Sequence, residues 1–313
     1  MEQTSATRDK ANSSFFRKAL KKILVLALKF SVSGGLLWLV LKRAGVEKVL
    51  HTLKSMDLRF FLAGVALYLL GTLVSSMRWR LFVSERLSLK KFFSLYLLGT
   101  FFSTFLPGVV GGDAFKGYYL YKKTGRMAEA MASIFMERYL GFAGLLIVAF
   151  LAYFPGINYL RGTGLLWFLP VLFLVFLTFS VFFFKLRLGR RIKLLADFYE
   201  YFGIYEKRAI FKGILLSLGV QGISVITVYT LSLGLGFNVS LPLFFVFVPL
   251  ISTFSAIPLS ISGFGIREAS FVLLFGSVGV PKHTATALSF ALFLSMAASS
   301  LPGLYEYLKI KKS

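Results

Sequence analysis

The stretch Phe105-Leu106-Pro107-Gly108-Val109-Val110-Gly111-Gly112-Asp113-Ala114-Phe115-Lys116 places a proline, three glycines, a carboxylate and an ammonium inside otherwise apolar sequence. Pro107 removes a backbone donor, and Gly108, Gly111 and Gly112 weaken any helix. Lipid tails cannot satisfy the peptide groups this frees, which confines such backbone to protein interior or a watery cavity. The stretch therefore reads as half of a binding site.

The surrounding composition sets the solvent. Of 313 residues, 57% are hydrophobic, 36 are Phe and only 16% are charged, with apolar runs of about twenty residues, as membrane-spanning helices require. The net charge of +23 arises from 36 Lys and Arg against 13 acids. These basic residues cluster between apolar runs, which fits topology control and contact with anionic lipids and argues against nucleic acid. The absence of cysteine excludes disulfides, thiolate metal sites and cysteine nucleophiles. His51 and His283 are too distant in sequence to suggest a metal set, so neither metal nor cofactor is expected. Residues 1–22 are basic, with no small-residue cleavage site after the first apolar run, as in an uncleaved first helix with a cytoplasmic N-terminus.

Full spans are expected over 23–41, 60–77, 130–153, 165–184, 211–234 and 284–308. Residues 42–57 suggest a short interfacial helix, and 187–212 a basic amphipathic connector on the cytoplasmic surface. Arg78-Trp79-Arg80 reads as a headgroup-level anchor, with direct phosphate binding by Arg78 and Arg80 as the alternative. Gly34 and Gly35 offer a place for another helix to approach; Gly141 and Gly144 read as packing positions. Ser217, Gln221 and Ser224 form a polar stripe suited to interhelical hydrogen bonds.

Parity then decides the opening stretch. If 92–112 crossed fully, Lys116, Lys122, Lys123 and Arg126 would lie outside, against the positive-inside rule. A re-entrant hairpin over 92–122 returns both basic loops to the cytoplasm, leaving only the basic 42–59 connector outside. A counterpart follows: Ile257-Pro258-Leu259-Ser260-Ile261-Ser262-Gly263-Phe264-Gly265-Ile266-Arg267-Glu268 aligns Pro258 with Pro107, Gly263 with Gly112 and Arg267 with Lys116. A hairpin over about 242–280 would enter from the other face. The expected fold is all-α: a polytopic membrane bundle of about six full spans plus two re-entrant hairpins in an inverted-repeat arrangement. Residues 23–308 form one transmembrane domain, with halves of about 58–153 and 209–308, followed by a basic tail at 309–313.

Asp113, Glu137 and Glu268 lie in or beside apolar segments, each with a cation nearby in sequence: Lys116, Arg138 and Arg267. Intramembrane charges are costly and usually paired and functional. Arg267 offers a planar fork for phosphate, and the helix beginning at Ile266 would turn free N–H groups towards an anion. Asp113 and Glu268 either hold the cations or carry a proton. With Gly111, Gly112 and Gly263 freeing backbone donors, these residues form the expected substrate site, and Asp113 and Arg267 are expected to line one central cavity. No catalytic constellation is visible.

At Ser76-Met77-Arg78-Trp79-Arg80, Phe105-Leu106-Pro107-Gly108 through Gly111-Gly112-Asp113-Ala114, Glu137-Arg138 and Gly263-Phe264-Gly265-Ile266-Arg267-Glu268, the chain resembles the lysylphosphatidylglycerol synthase transmembrane region family. The proline-glycine and Gly-Gly-Asp combination is the more specific motif; Glu-Arg alone is weak. The resemblance implies a multi-pass protein of a prokaryotic cytoplasmic membrane that handles phospholipids or polyprenyl-linked lipids. In the fused synthases a soluble aminoacyl-transferring domain follows; here the sequence stops at Ser313, so lipid aminoacylation by this chain alone is not expected. The leading expectation is a flippase binding a lipid headgroup near the midplane. The alternatives are a transporter of a small soluble anion, and an integral-membrane enzyme or accessory subunit acting with a partner on lipid-linked substrates.

Overall fold

The computed structural model describes residues 27–85, 87–105, 111–161, 166–185, 193–256, 260 and 263–312. The described residues form helices throughout: α1 (27–44), α2 (Val46–Lys54), α3 (Leu58–Arg80), α4 (Leu89–Phe105), α5 (Gly111–Thr124), α6 (Met127–Leu160), α7 (Phe168–Ser180, continued by a π turn to Lys185), α8 (Lys193–Ile204), α9 (Lys207–Gly234), α10 (Leu241–Ala256), α11 (Ile266–Gly276) and α12 (Lys282–Lys312). Among them α3, α6, α7 with its π turn, α9 and α12 are long and apolar enough to cross a membrane. The expected first span begins outside the described residues and continues into α1.

Local chemistry sets several boundaries. Asp57 starts α3 by accepting the Arg59 N–H at 2.9 Å, which satisfies one of the helix's free N-terminal donors. Lys122 and Lys123 occupy the last turn of α5, where the helix dipole favours cations. Helix α2, the expected short helix, packs Val49 and Leu53 beside Ala287 of α12, with Val46 and Leu50 exposed.

Helices α3 and α9 pack along one another at the centre, and α6 and α12 flank them. Two pairs of shorter helices fill the remaining space. Helix α4 packs on α5 and rests on α12, while α5 rests on α6; α10 packs on α11 and rests on α6, while α11 rests on α12. The connections holding Pro107, Gly108 and Pro258 lie outside the described residues. The main apolar core joins Val225, Val228 and Leu231 of α9 to Phe244 and Phe247 of α10 and Phe271 and Phe275 of α11. Helix α7 is peripheral, with Val171, Leu174, Val175 and Phe179 exposed. An apolar face of this kind is at home against lipid.

Two expectations about the bundle change. Trp79 is not a lipid-facing anchor: it is fully buried, donates to the Ser133 hydroxyl at 3.2 Å and meets Phe92 edge-to-face at 5.1 Å. Its indole finds a polar partner inside the bundle, which removes the need for the interface. Gly34 and Gly35 have open space around them. The close approach to α1 is made instead by Gly265, where a Cβ would stand 2.7 Å from Leu36 Cβ and 2.9 Å from the Ser33 carbonyl oxygen.

Candidate functional site

Packing α4 and α5 between α3, α6 and α12 collects the charges of three elements. Helix α3 brings Arg78, α5 brings Asp113 and Lys116, and α6 brings Glu137 and Arg138. They border a cavity of about 610 Å³. Lys116 reaches it because α5 approaches α4 closely: a Cβ on Gly112 would lie 2.0 Å from the Gly99 carbonyl oxygen and 2.2 Å from Ser103 Oγ. Gly112 thus acts by bringing two backbones together, and it is buried.

The ion pairs run across the bundle. Glu137 accepts from Arg78 at 2.5 Å and from the Tyr96 hydroxyl at 2.9 Å, and stands 3.5 Å from Lys116 Nζ. Asp113 holds Lys116 at 2.9 Å and Arg138 at 2.6 Å. The sequence pairing of Glu137 with Arg138 is replaced by partners from other helices, Arg78 and Tyr96 for Glu137 and Asp113 for Arg138. Arg78, Lys116 and Glu137 are 4%, 4% and 2% exposed, so their charges interact in a setting far less screened than water. Lys116 Nζ also sits 4.4 Å from the Tyr96 ring centroid, a cation–π arrangement.

The described lining carries three cations and two carboxylates, a net charge of +1. Arg78 donates through its terminal nitrogens to Glu137 and, at 2.9 Å, to Ser217, yet among the described residues its buried Nε has no hydrogen-bond partner. A buried unsatisfied donor costs about 1–3 kcal/mol. Ser217 and Gln221 give the expected interhelical bonds, Gln221 reaching the Gly141 carbonyl at 3.5 Å. Tyr96, Thr100, Ser103 and Thr104 of α4 also line the cavity; their helical spacing, four, three and one residues apart, is the sequence signal for this polar face. An adjoining space of about 450 Å³ continues past Tyr68, Thr72, Ser224 and Thr227, making a hydroxyl-bearing corridor between α3 and α9.

Arg138 and Phe142 also border a second space of about 380 Å³, with Phe135, Tyr139, Leu172, Val175, Phe176 and Phe179. That groove between α6 and α7 is almost wholly apolar. Arg138 therefore stands where the polar cavity meets an aromatic wall.

Asp113 stands in the described lining of the central cavity. Arg267, Glu268 and Gly263 are absent from the described lining. Arg267 donates to Glu268 at 2.7 Å and to Ser289 at 3.0 Å, and lies 5.2 and 5.5 Å from the rings of Phe264 and Phe293. The Glu268 carboxylate accepts the Gly265 N–H at 2.6 Å, so the N-terminus of α11 carries its own anion. Arg267 is the second residue of α11. Gly263 has φ +80° and Gly265 φ +84°, conformations glycine reaches without strain; both serve the turn into α11. Arg80 is exposed, and neither it nor Gly111 is among the described residues of the cavity lining.

The family described as the lysylphosphatidylglycerol synthase TM region matches residues 26–302. The chain belongs to this family. A UPF0104 membrane protein of Pyrococcus horikoshii is 24% identical over 314 residues, covering 86% of this chain and 91% of that protein. Family membership and the long apolar helices agree on a multi-pass integral membrane protein.

Proposed function

We propose that the protein moves a phosphate-bearing amphiphile, a phospholipid or polyprenyl-linked lipid, between leaflets. The observation that carries this reading is the shared border of the charged cavity and the aromatic groove at Arg138 and Phe142. A headgroup held by Arg78, Lys116 and Arg138 leaves its chains against Phe135, Phe176 and Phe179. A soluble anion has no use for that groove. Carrying a charged headgroup through hydrocarbon is costly, and the hydroxyl corridor between α3 and α9 provides polar partners along part of the way. Asp113 and Glu137 hold the cations when the headgroup is absent. The role is carriage, with no chemical step.

The reading extends to topology: α3–α6 and α9–α12 as inverted halves, α4/α5 and α10/α11 as re-entrant hairpins, and both termini on the cytoplasmic side of a prokaryotic inner membrane. It is supported by the matched packing, in which α4 rests on α12 as α10 rests on α6, and α5 on α6 as α11 on α12.

Proteoliposomes holding a headgroup-labelled phospholipid test this through a membrane-impermeant quencher. Replacing Asp113→Asn with Arg138→Gln removes charged hydrogen bonds and should slow translocation about tenfold or more. An unchanged rate in the folded variant, or inorganic phosphate carried as readily as lipid, refutes the assignment.

A further inference from the structure

A second charged cavity lies at the other end of the α4/α5 pair and takes no part in the reading above. It encloses about 520 Å³ and is bordered by Lys90 and Lys91 of α4, Lys122 and Lys123 of α5, and Lys309 and Glu306 of α12. Five ammonium groups face one carboxylate, a net charge of +4 among the described lining. The carboxylate is already engaged, accepting from the Ser94 hydroxyl.

Three separate elements converge on this space, so tertiary structure gathers the like charges. Lys91 is half-buried and Lys90, Lys122, Lys123 and Lys309 are exposed, so without an anion the convergence is repulsive, though softened by water and salt. Helix dipoles account for Lys122 and Lys123, in the last turn of α5. They do not account for Lys90 and Lys91, which stand in the first turn of α4, at the end where cations are disfavoured. An anion there relieves the lysines. Charge also sets the kind of anion: a phosphomonoester brings about −2, half of what the lining offers. Lys91 precedes Thr100, in the wall of the central cavity, by nine residues, about 14 Å along α4; the two cavities have no described lining residue in common.

We propose that this lysine cavity is a binding site for a diphosphate or longer polyphosphate group, distinct from the central cavity. The group arrives either on a lipid or free in solution, and both present the same chemistry to the lysines.

The test is calorimetric titration of the full chain in nonionic detergent with inorganic diphosphate, orthophosphate and farnesyl diphosphate. Diphosphate should bind about tenfold or more tightly than orthophosphate, weakening as salt rises from about 0.05 to about 0.5 M. The variant K90Q/K91Q/K122Q/K123Q should lose about tenfold or more in affinity, and Lys→Arg at the same positions should retain it. The single variants K91Q and K123Q, read alongside in case the multiple variant aggregates, should each weaken binding about threefold. Tighter binding of farnesyl diphosphate than of inorganic diphosphate marks a lipid-borne group; equal or weaker binding marks a free one. No saturable binding by either diphosphate, or affinity unchanged in the glutamine variants, overturns the proposal. The assay reads binding alone, so its result is independent of whether lipid is translocated.

Discussion

Replacing Glu137 with Gln should destabilise the protein and at the same time strengthen its hold on anions. The carboxylate is buried, 2.5 Å from Arg78 and 3.5 Å from Lys116. At an effective dielectric constant of about 20, those separations correspond to gross attractions of about 7 and about 5 kcal/mol. Desolvation of the three ions returns much of this, and removing one partner of a buried pair typically costs about 3–5 kcal/mol because the other charge is stranded. The described cavity lining would rise from +1 to +2, so phosphate affinity should increase even as the fold weakens. Unfolding of the detergent-solubilised protein measures the first effect and phosphate titration the second. A double-mutant cycle with Arg78→Met isolates the pair: the double variant should be less destabilised than the sum of the singles by about 2 kcal/mol or more. A loss below about 1 kcal/mol, additivity in the cycle, or weaker phosphate binding by folded Glu137→Gln would refute the claim that Glu137 offsets the cavity's cations.

Gly112→Ala should prevent α5 from closing on α4, because its Cβ would stand 2.0 Å from a backbone oxygen; poor folding by size-exclusion chromatography is expected. Gly34→Ala and Gly35→Ala, with open space around them, should change stability by no more than about 0.5 kcal/mol. Gly265→Ala combines φ +84° with a 2.7 Å contact to Leu36 and should lower the melting temperature more than either. The hydrogen bond from the Arg59 side chain holds the Asp57 carboxyl below its ordinary range. A lowered folded-state pKa contributes stability above the unfolded value and loses it as pH falls through the folded one. The start of α3 should therefore loosen on acidification, seen as faster amide exchange, and Asp57→Asn should abolish that dependence.

The membrane class, the approximate positions of the long helices and the charges near Asp113 were legible in the sequence, because apolar length and costly intramembrane charge are local properties. Asp113 with Lys116 and Arg267 with Glu268 were readable as pairs for the same reason: they lie within a helical turn of each other. The partners of Glu137 were not, since Arg78 is 59 positions away and Tyr96 is 41, and helix packing alone brings them together. Trp79 was misplaced because its sequence neighbours are arginines, while its spatial neighbours are Phe92 and Ser133.

The opening stretch shows where the division falls. Its composition determined that the chain could not simply continue as a lipid-exposed helix through Asp113 and Lys116, because unsatisfied peptide groups and bare charges are too costly there. Tertiary structure decided which charges answer them: α6 supplies Glu137 and Arg138, α3 supplies Arg78, and Arg267 finds Glu268 and Ser289. Helical periodicity is written within each segment, whereas the choice of neighbouring helix depends on how whole surfaces fit. The charged cavity and the lysine cavity are products of that fit.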